Sequence, residues 1–150
     1  MVTEMSRHID ASPEAVYRAL IDPIAVQQWK VPSGMTSIVH EFEARVGGRY
    51  RVSLTYELDT GTGKTSSQTD TYHGYFKELV PNRKVVEVTE FETVDPDLQG
   101  AMTITVTLDD DGEGGTRLHA VHEGLPPGVD PADNETGWSS SLDKLAALVA

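Results

Sequence analysis

The stretch that decides the fold is Asp130–Ala150, DPADNETGWSSSLDKLAALVA, at the end of the chain. Trp138, Leu142, Leu145 and Val149 recur at steps of four, three and four, which is the spacing of one face of an α-helix. The Asp-Pro pair that opens the stretch is typical of an N-cap followed by the first helical residue. We therefore expect one amphipathic helix whose apolar face packs on another part of the chain.

That other part is predicted to be a β-sheet, because most of the chain from about Thr36 to Glu123 has the patterns of strands and turns. The clearest strand is Arg49 to Leu58, where apolar and polar residues alternate, so that one face is buried. Gly47-Gly48 indicates a turn before it, Asp59 to Ser67 a polar loop after it, and Gly74 a bulge. The other predicted strands are Val2 to Ile9, Ser37 to Ala44, Gln68 to Leu79, Val85 to Thr93, Ala101 to Leu108 and Thr116 to Glu123.

Two short helices are predicted between the first two strands. Ser12-Pro13 indicates a helix start, and Asp22-Pro23 ends that helix because proline disfavours helical backbone in the residue before it. A second helix runs from Ile24 to Trp29. The element order predicts a single α+β domain, residues 1–150, in which a mainly antiparallel sheet of six to seven strands holds the last helix. Gly137 within that helix suggests a close backbone contact.

Composition excludes several classes of function. The 150 residues include 24 Asp and Glu against 12 Lys and Arg, a net charge of −12, which disfavours binding to nucleic acid or to anionic lipid. The absence of cysteine excludes disulfides, thiolate catalysis and Cys-type zinc sites. Neither a signal peptide nor a membrane span is predicted, so we expect a cytoplasmic protein.

Large residues expected to face the space between the sheet and the last helix are candidates to line a pocket. Apolar walls with a few polar groups are the usual composition of a small-molecule site, although the same residues could form an ordinary packed core. The candidate ligand-binding residues are Trp29, Met35, Tyr50, Tyr56, Tyr72, Phe91, Met102, Trp138 and Leu142.

Three polar residues are candidates for catalysis. Asp70 and Tyr72 share one face of a strand, and His122 lies opposite Glu123 in the last strand, so that only one of those two faces inward. A buried carboxylate beside an imidazole could serve as a general base, whereas the alternative is a solvated or structural pair. No metal or cofactor is predicted, because the five histidines lack a ligand spacing and the acidic run Asp109–Glu113 lacks that of a calcium loop.

Several short phrases of the chain, in the same order, resemble the SRPBCC or START-like superfamily. Within it, the chain is most similar to bacterial homologues of the heat-shock-protein ATPase activator. The phrases that carry the resemblance are Ile9–Glu14 with Val16 and Tyr17, Asp22-Pro23 with Trp29, Pro32–Met35, Val46–Tyr50, Gly74–Phe76, Leu79–Pro81, Gly115–Arg117, His122–Gly124, Gly137-Trp138, Ser141-Leu142 and Leu145-Ala146.

The resemblance implies the helix-grip fold, also seen in the birch pollen allergen, with a cavity between sheet and C-terminal helix. Relatives bind lipids, polyketides, plant hormones or other apolar molecules, and a few catalyse cyclisation or related reactions. The eukaryotic activator binds a chaperone and carries a separate N-terminal domain, which a chain of 150 residues cannot accommodate.

Three functions therefore remain open from the sequence. The leading hypothesis is the binding of a small apolar or amphipathic molecule under the last helix. The second is a chaperone accessory or regulator that binds a protein partner, and the third is a cyclase- or hydrolase-type enzyme. Either a monomer or a homodimer is compatible with the sequence.

Overall fold

The computed structural model describes residues 2–57 and 69–150. The predicted Asp59–Ser67 loop, and Leu58 and Gln68 at the strand ends beside it, lie outside the described residues. Within the described ranges there are seven strands and three helices. The strands are β1 Val2–Ile9, β2 Met35–Phe42, β3 Arg49–Tyr56, β4 Thr69–Val80, β5 Lys84–Phe91, β6 Met102–Asp110 and β7 Thr116–Glu123; the helices are α1 Pro13–Leu20, α2 Pro23–Trp29 and α3 Pro131–Val149.

The seven strands form one antiparallel sheet in the order β1-β7-β6-β5-β4-β3-β2. All strands from β2 to β7 pair with their neighbours in the chain, and β1 pairs with β7, so that β1 and β2 are the two edges. The α3 helix packs across the inner face of this sheet, with α1 and α2 beside it. This is the predicted α+β helix-grip fold, which the structure confirms.

Each helix begins at a side-chain cap followed by proline. Ser12 Oγ accepts a hydrogen bond from Ala15 N at 3.2 Å, and Asp22 Oδ1 accepts one from Ile24 N at 2.9 Å. Asp130 Oδ1 likewise accepts from Ala132 N at 2.8 Å. These bonds satisfy backbone donors that have no partner within the helix, and the proline that follows has no N–H to satisfy. The helix starts at Ser12 and Asp130 were therefore predicted correctly, and α2 begins one residue earlier than expected.

The apolar stripe of α3 is divided along its length. Leu142 and Leu145 are 3% and 0% exposed and belong to the main hydrophobic core. Trp138 and Val149 are only partly buried, and Leu148 at the side of the stripe is exposed. The stripe thus closes the core with its C-terminal part, while Trp138 faces a less filled space.

The predicted bulge at Gly74 is wrong. The shift in pairing between β4 and β5 lies further along, between Phe76 and Glu78. Gly74 has a different role, because a Cβ there would collide with the carbonyl oxygen of Val88 and with the ring of Tyr50. The missing side chain therefore lets Tyr50 lie across the strand.

The close backbone contact expected at Gly137 is also wrong. A Cβ at this position would have Pro32 Cγ as its nearest neighbour, at 3.7 Å, which is an ordinary van der Waals distance. We therefore expect Gly137→Ala to raise the free energy of unfolding by about 1 kcal/mol, the usual difference between alanine and glycine inside a helix. Denaturant unfolding of the variant would measure it.

The matched control for this prediction is Gly128→Ala. At Gly128 a Cβ would lie 2.8 Å from the carbonyl oxygen of Asp97, so the same chemical change should lower stability. If Gly137→Ala lowers stability as much as Gly128→Ala does, α3 at Gly137 is under a constraint that its described contacts do not show.

Candidate functional site

A cavity of about 420 Å³ lies between the inner face of the sheet and the N-terminal half of α3. Its walls are mainly apolar and aromatic, and its exposed residues Ser33, Gly128, Asp130 and Asp133 mark the mouth. The sheet contributes Met35, Leu54, Tyr56, Asp70, Tyr72, Thr89, Phe91, Met102, Ile104 and His122. The segment between α2 and β2 contributes Lys30, Pro32 and Ser33, and α3 with the loop before it contributes Gly128, Val129, Asp130, Asp133, Asn134, Gly137, Trp138 and Ser141.

Strand alternation explains which sheet residues reach the cavity. Six of the nine predicted ligand-binding residues line it: Met35, Tyr56, Tyr72, Phe91, Met102 and Trp138. The other three, Trp29, Tyr50 and Leu142, lie in the packed core and do not line the cavity. The indole N–H of Trp29, for example, donates to the carbonyl oxygen of Ala19 at 2.9 Å. Alternation correctly predicts that Tyr50 lies on the inner face of the sheet, but it does not show that Tyr50 is packed in the core and not at the cavity.

Sequence reasoning missed an ion pair beneath the cavity. Lys30 Nζ lies 2.7 Å from Glu87 Oε2, and the two side chains are only 12% and 10% exposed. The hydroxyl of Tyr50 donates to the same carboxylate oxygen at 3.3 Å. Glu87 could have been found, because it alternates with Val85 and Thr89 on the inward face of β5, whereas Lys30 follows the end of α2 and carries no such signal.

Aromatic rings surround the ammonium group of Lys30. Its Nζ lies 5.4 Å, 5.8 Å and 5.7 Å from the ring centroids of Tyr50, Tyr72 and Trp138. Burial opposes the charge, but the carboxylate of Glu87, with Tyr72, outweighs it, so that the pKa of Lys30 lies above its ordinary value. Burial also raises the pKa of Tyr72 and, strongly, that of Tyr50, which keeps both phenols protonated. Lys30 thus contributes a paired cation to the lining of the cavity.

His122 also lines the cavity and is 1% exposed. Its Nδ1 accepts a hydrogen bond from Asn134 Nδ2 at 2.9 Å, and the same amide nitrogen donates to Thr3 Oγ1 at 3.0 Å. Since the Asn134 amide nitrogen can only donate, Nδ1 carries no proton and the neutral ring has its proton on Nε2. Nε2 has no hydrogen-bond partner in the described part of the chain. The ring edge packs on Trp138, with centroids 4.5 Å apart.

The charge state of His122 follows from this environment. Burial, and after it the nearby charge of Lys30, lowers the pKa of His122 to about 4, and the Asn134 hydrogen bond only partly opposes the shift. The ring is therefore neutral at physiological pH. With Nδ1 bound to Asn134 and the proton on Nε2, the ring has no free lone pair and does not act as a base.

The family model described as Activator of Hsp90 ATPase homolog 1-like protein matches residues 10–150. The chain belongs to this family. The resemblance read from the sequence is thus confirmed. We refer to it below as the activator-like family.

Solved structures agree with this assignment. A crystal structure of a Chromobacterium violaceum protein is 36% identical, covers 99% of this chain and 96% of its own, and superposes with a TM-score of 0.88. The solution structure of an AHSA1-like protein from Aeromonas hydrophila is 21% identical over 99% of this chain and 92% of its own, with a TM-score of 0.75, and supports the fold alone. No curated protein sequence matches the chain.

The three catalytic candidates of this activator-like chain face the same cavity. Asp70 and Tyr72 line one wall and His122 another, and all three side chains are buried. Their convergence is what the enzyme hypothesis requires. The direction of the His122 hydrogen bond argues against it, because the ring lone pair is held by Asn134 and is not free to take a proton from a substrate.

Among the described residues, no three His, Asp or Glu side chains lie close enough together to hold a metal ion. In the acidic turn between β6 and β7, Asp111 already uses its carboxylate within the chain. It accepts from the backbone N–H groups of Glu113 and Gly115, at 2.7 Å and 2.9 Å, and contacts His8 Nε2 at 2.7 Å. The His8 contact, with these backbone bonds, lowers the pKa of Asp111 to about 2. Strand β6 also ends two residues later than the predicted Leu108, because Asp109 and Asp110 still pair with β7.

Proposed function

We propose that this chain binds one small apolar or amphipathic molecule in the cavity between the sheet and α3. The observation that carries the proposal is the cavity itself: its volume of about 420 Å³ falls in the range of small-molecule sites. Aromatic and aliphatic walls would bury the body of the ligand. The few polar groups, among them His122 and Tyr72, would orient it.

The surroundings of the cavity support a binding site over a partner-binding surface. The outer face of the sheet carries a polar network, in which Arg51 forms two hydrogen bonds of 2.9 Å to Glu92 and His73 bridges Glu92 and Glu90. Ile38 and Tyr75 are exposed on this face, on different strands with these polar groups between them. A mainly polar outer face offers little apolar area for a chaperone or other protein to cover.

The location of the protein is a separate matter. No helix within the described ranges is long and apolar enough to cross a membrane. The cytoplasmic location expected from the sequence stays a prediction.

A filling mutation on α3 tests the proposed function. Ser141 lines the cavity and is 4% exposed, whereas Ser139 lies on the exposed side of the same helix. We expect Ser141→Leu to weaken binding of the neutral fluorescent probe N-phenyl-1-naphthylamine about tenfold or more, because the added carbon atoms occupy cavity volume. Ser139→Leu makes the same chemical change outside the cavity and should leave the affinity within twofold of the wild type.

Fluorescence titration measures the affinity, and the melting temperature provides a second reading. Bound probe should raise the melting temperature of the wild type by mass action. A wild-type protein that does not bind the probe, or equal affinities of the two serine variants, would count against a ligand site in this cavity.

A further inference from the structure

The ion pair between Lys30 and Glu87 is oriented with its positive end at the cavity. Lys30 is among the residues that line the cavity, whereas Glu87, and Tyr50 that donates to its carboxylate, are not. The ammonium nitrogen lies 5.8 Å from the ring centroid of Tyr72 and 5.7 Å from that of Trp138. These two rings line the cavity from β4 and from α3, so the ammonium lies close to both walls. A ligand atom of negative or partly negative charge is therefore favoured beside these rings, and a cation is disfavoured.

The hydroxyl of Tyr72 is open to the same cavity. Among the described residues, two buried side-chain polar atoms lack a hydrogen-bond partner and are closed off, Ser37 Oγ and His122 Nε2. The Tyr72 hydroxyl also has no hydrogen-bond partner in the described part of the chain, yet it is not one of these closed atoms, so part of its surface is accessible. Because Tyr72 lines the cavity, the cavity is the space that this hydroxyl reaches.

The chemistry of this hydroxyl indicates what it binds. Burial raises the pKa of Tyr72, so the phenol keeps its proton and can donate a hydrogen bond. A phenol can also accept, but a ligand group that donates to it would bring a partial positive charge toward the cation of Lys30. An oxygen that accepts from the hydroxyl is attracted by the same cation. The hydroxyl and the ammonium thus favour one kind of ligand atom, an acceptor oxygen.

We infer that the ligand carries an oxygen atom, that of a carbonyl or carboxylate group, which accepts a hydrogen bond from the hydroxyl of Tyr72 beside Lys30. The inference rests on the proposed function and adds the polar group of the ligand. A pure hydrocarbon leaves the Tyr72 hydroxyl without a partner, and an amine meets the charge of Lys30. The apolar body of the ligand packs against the aromatic and aliphatic walls, among them Phe91 and Met102.

Four naphthalene derivatives of similar size test the inference: 2-acetylnaphthalene, its hydrocarbon counterpart 2-isopropenylnaphthalene, 2-naphthoate and 2-naphthylmethylammonium. Calorimetric titration at neutral pH measures their affinities for the wild type and for Tyr72→Phe, which removes the hydroxyl and keeps the ring. We expect the affinity ratio of the ketone to the hydrocarbon to fall about fivefold in Tyr72→Phe, the equivalent of one ordinary hydrogen bond. The hydrocarbon itself should bind Tyr72→Phe at least as tightly as the wild type.

The matched control is Tyr56→Phe. Tyr56 also lines the cavity, but its ring is not one of the three described rings around the ammonium of Lys30. This variant removes a phenol from the same cavity and should keep the wild-type ratio of ketone to hydrocarbon.

A double variant tests the charge. Lys30→Met combined with Glu87→Met removes the ion pair, leaves the net charge of the chain unchanged and puts apolar side chains of similar size in its place. We expect the affinity ratio of 2-naphthoate to 2-naphthylmethylammonium to fall about tenfold in this variant, because the positive end of the pair is lost from the cavity lining. Circular dichroism checks that the double variant folds, and Tyr72→Phe tests the inference independently of it.

The outcomes separate the two proposals. An unchanged ratio of ketone to hydrocarbon in Tyr72→Phe, or an equal fall in Tyr56→Phe, would overturn the acceptor oxygen at Tyr72, while binding of the hydrocarbon still supported a ligand site. An unchanged ratio of naphthoate to amine in the folded double variant would overturn the part assigned to Lys30. Failure of all four compounds to bind the wild type would overturn the proposed function as well.

Discussion

Lys30→Met is expected to lower the free energy of unfolding by about 3–5 kcal/mol, the usual cost of removing one partner of a buried ion pair. The substitution leaves the carboxylate of Glu87, whose side chain is 10% exposed, with only the hydroxyl of Tyr50 as a described hydrogen-bond partner. The substitution also removes the contacts between the ammonium group and the rings of Tyr50, Tyr72 and Trp138. Equilibrium unfolding in urea at neutral pH, with folding checked by circular dichroism, measures the change.

Two further variants make this prediction specific to the pair. Lys30→Met combined with Glu87→Met removes both charges, and we expect it to recover most of the lost stability, because apolar side chains of similar size replace buried ion pairs well. Lys77→Met, on an exposed lysine of β4, should change stability by less than about 0.5 kcal/mol. A loss below about 1 kcal/mol in Lys30→Met would mean that water reaches Glu87 and that the pair is not buried in solution.

The second large effect is on the pH dependence of stability, through His122. The pKa of this ring is about 4 in the folded chain and 6.5 in an ordinary environment, so the unfolded chain takes up the proton first as the pH falls. Above pH 6.5 the ring is neutral in both the folded and the unfolded chain, and the free energy of unfolding is at its full value with respect to this group. Between pH 6.5 and about 4 the free energy of unfolding falls progressively, because only the unfolded chain takes up the proton. The full difference of about 2.5 pKa units corresponds to about 3 kcal/mol.

His122→Phe should remove this loss, because phenylalanine does not titrate and still fills the place of the ring against Trp138. We would measure unfolding free energies in urea at several pH values from neutral to about 4.5 and compare the slopes of the two proteins. Other groups contribute at the acid end, since hydrogen bonds lower the pKa of Glu92 and Asp111, and the comparison of slopes removes them.

His119→Phe is the matched control for that experiment. His119 lies three residues earlier in β7 on the outer face of the sheet, where its Nδ1 contacts Ser6 Oγ at 2.9 Å. This variant should keep the wild-type slope between pH 6.5 and 4.5 apart from a small offset. Identical slopes for the wild type and His122→Phe would contradict the burial of the neutral ring.

The elements that sequence predicted best are those set by local chemistry. The caps at Ser12 and Asp130 and the alternation of β3 depend on neighbours in the chain, and the structure has them in place. The bounds of β7, Thr116–Glu123, agree with the prediction. Periodicity also gave the inward face of each strand, which is why most candidate residues do line the cavity.

The parts that sequence could not predict depend on distance through space. Lys30 and Glu87 are 57 residues apart, and only the packing of α2 against the sheet brings them together. The donor character of His122 likewise depends on Asn134, which lies on a helix and not on the strand. Tyr50 and Leu142 have the right face but lie too deep, because a repeating pattern carries no information on where a core ends and a cavity begins.

The division of α3 into a cavity half and a core half has a consequence for how such chains can diversify. Asn134, Gly137 and Ser141 contact the cavity, while Leu145 one turn further on holds the core. On the proposed function, substitutions at Gly137 and Ser141 change the shape of the ligand site without removing a core leucine. On that proposal, a lineage or a designer could vary the ligand by changing two turns of one helix while Leu142 and Leu145 keep the core closed.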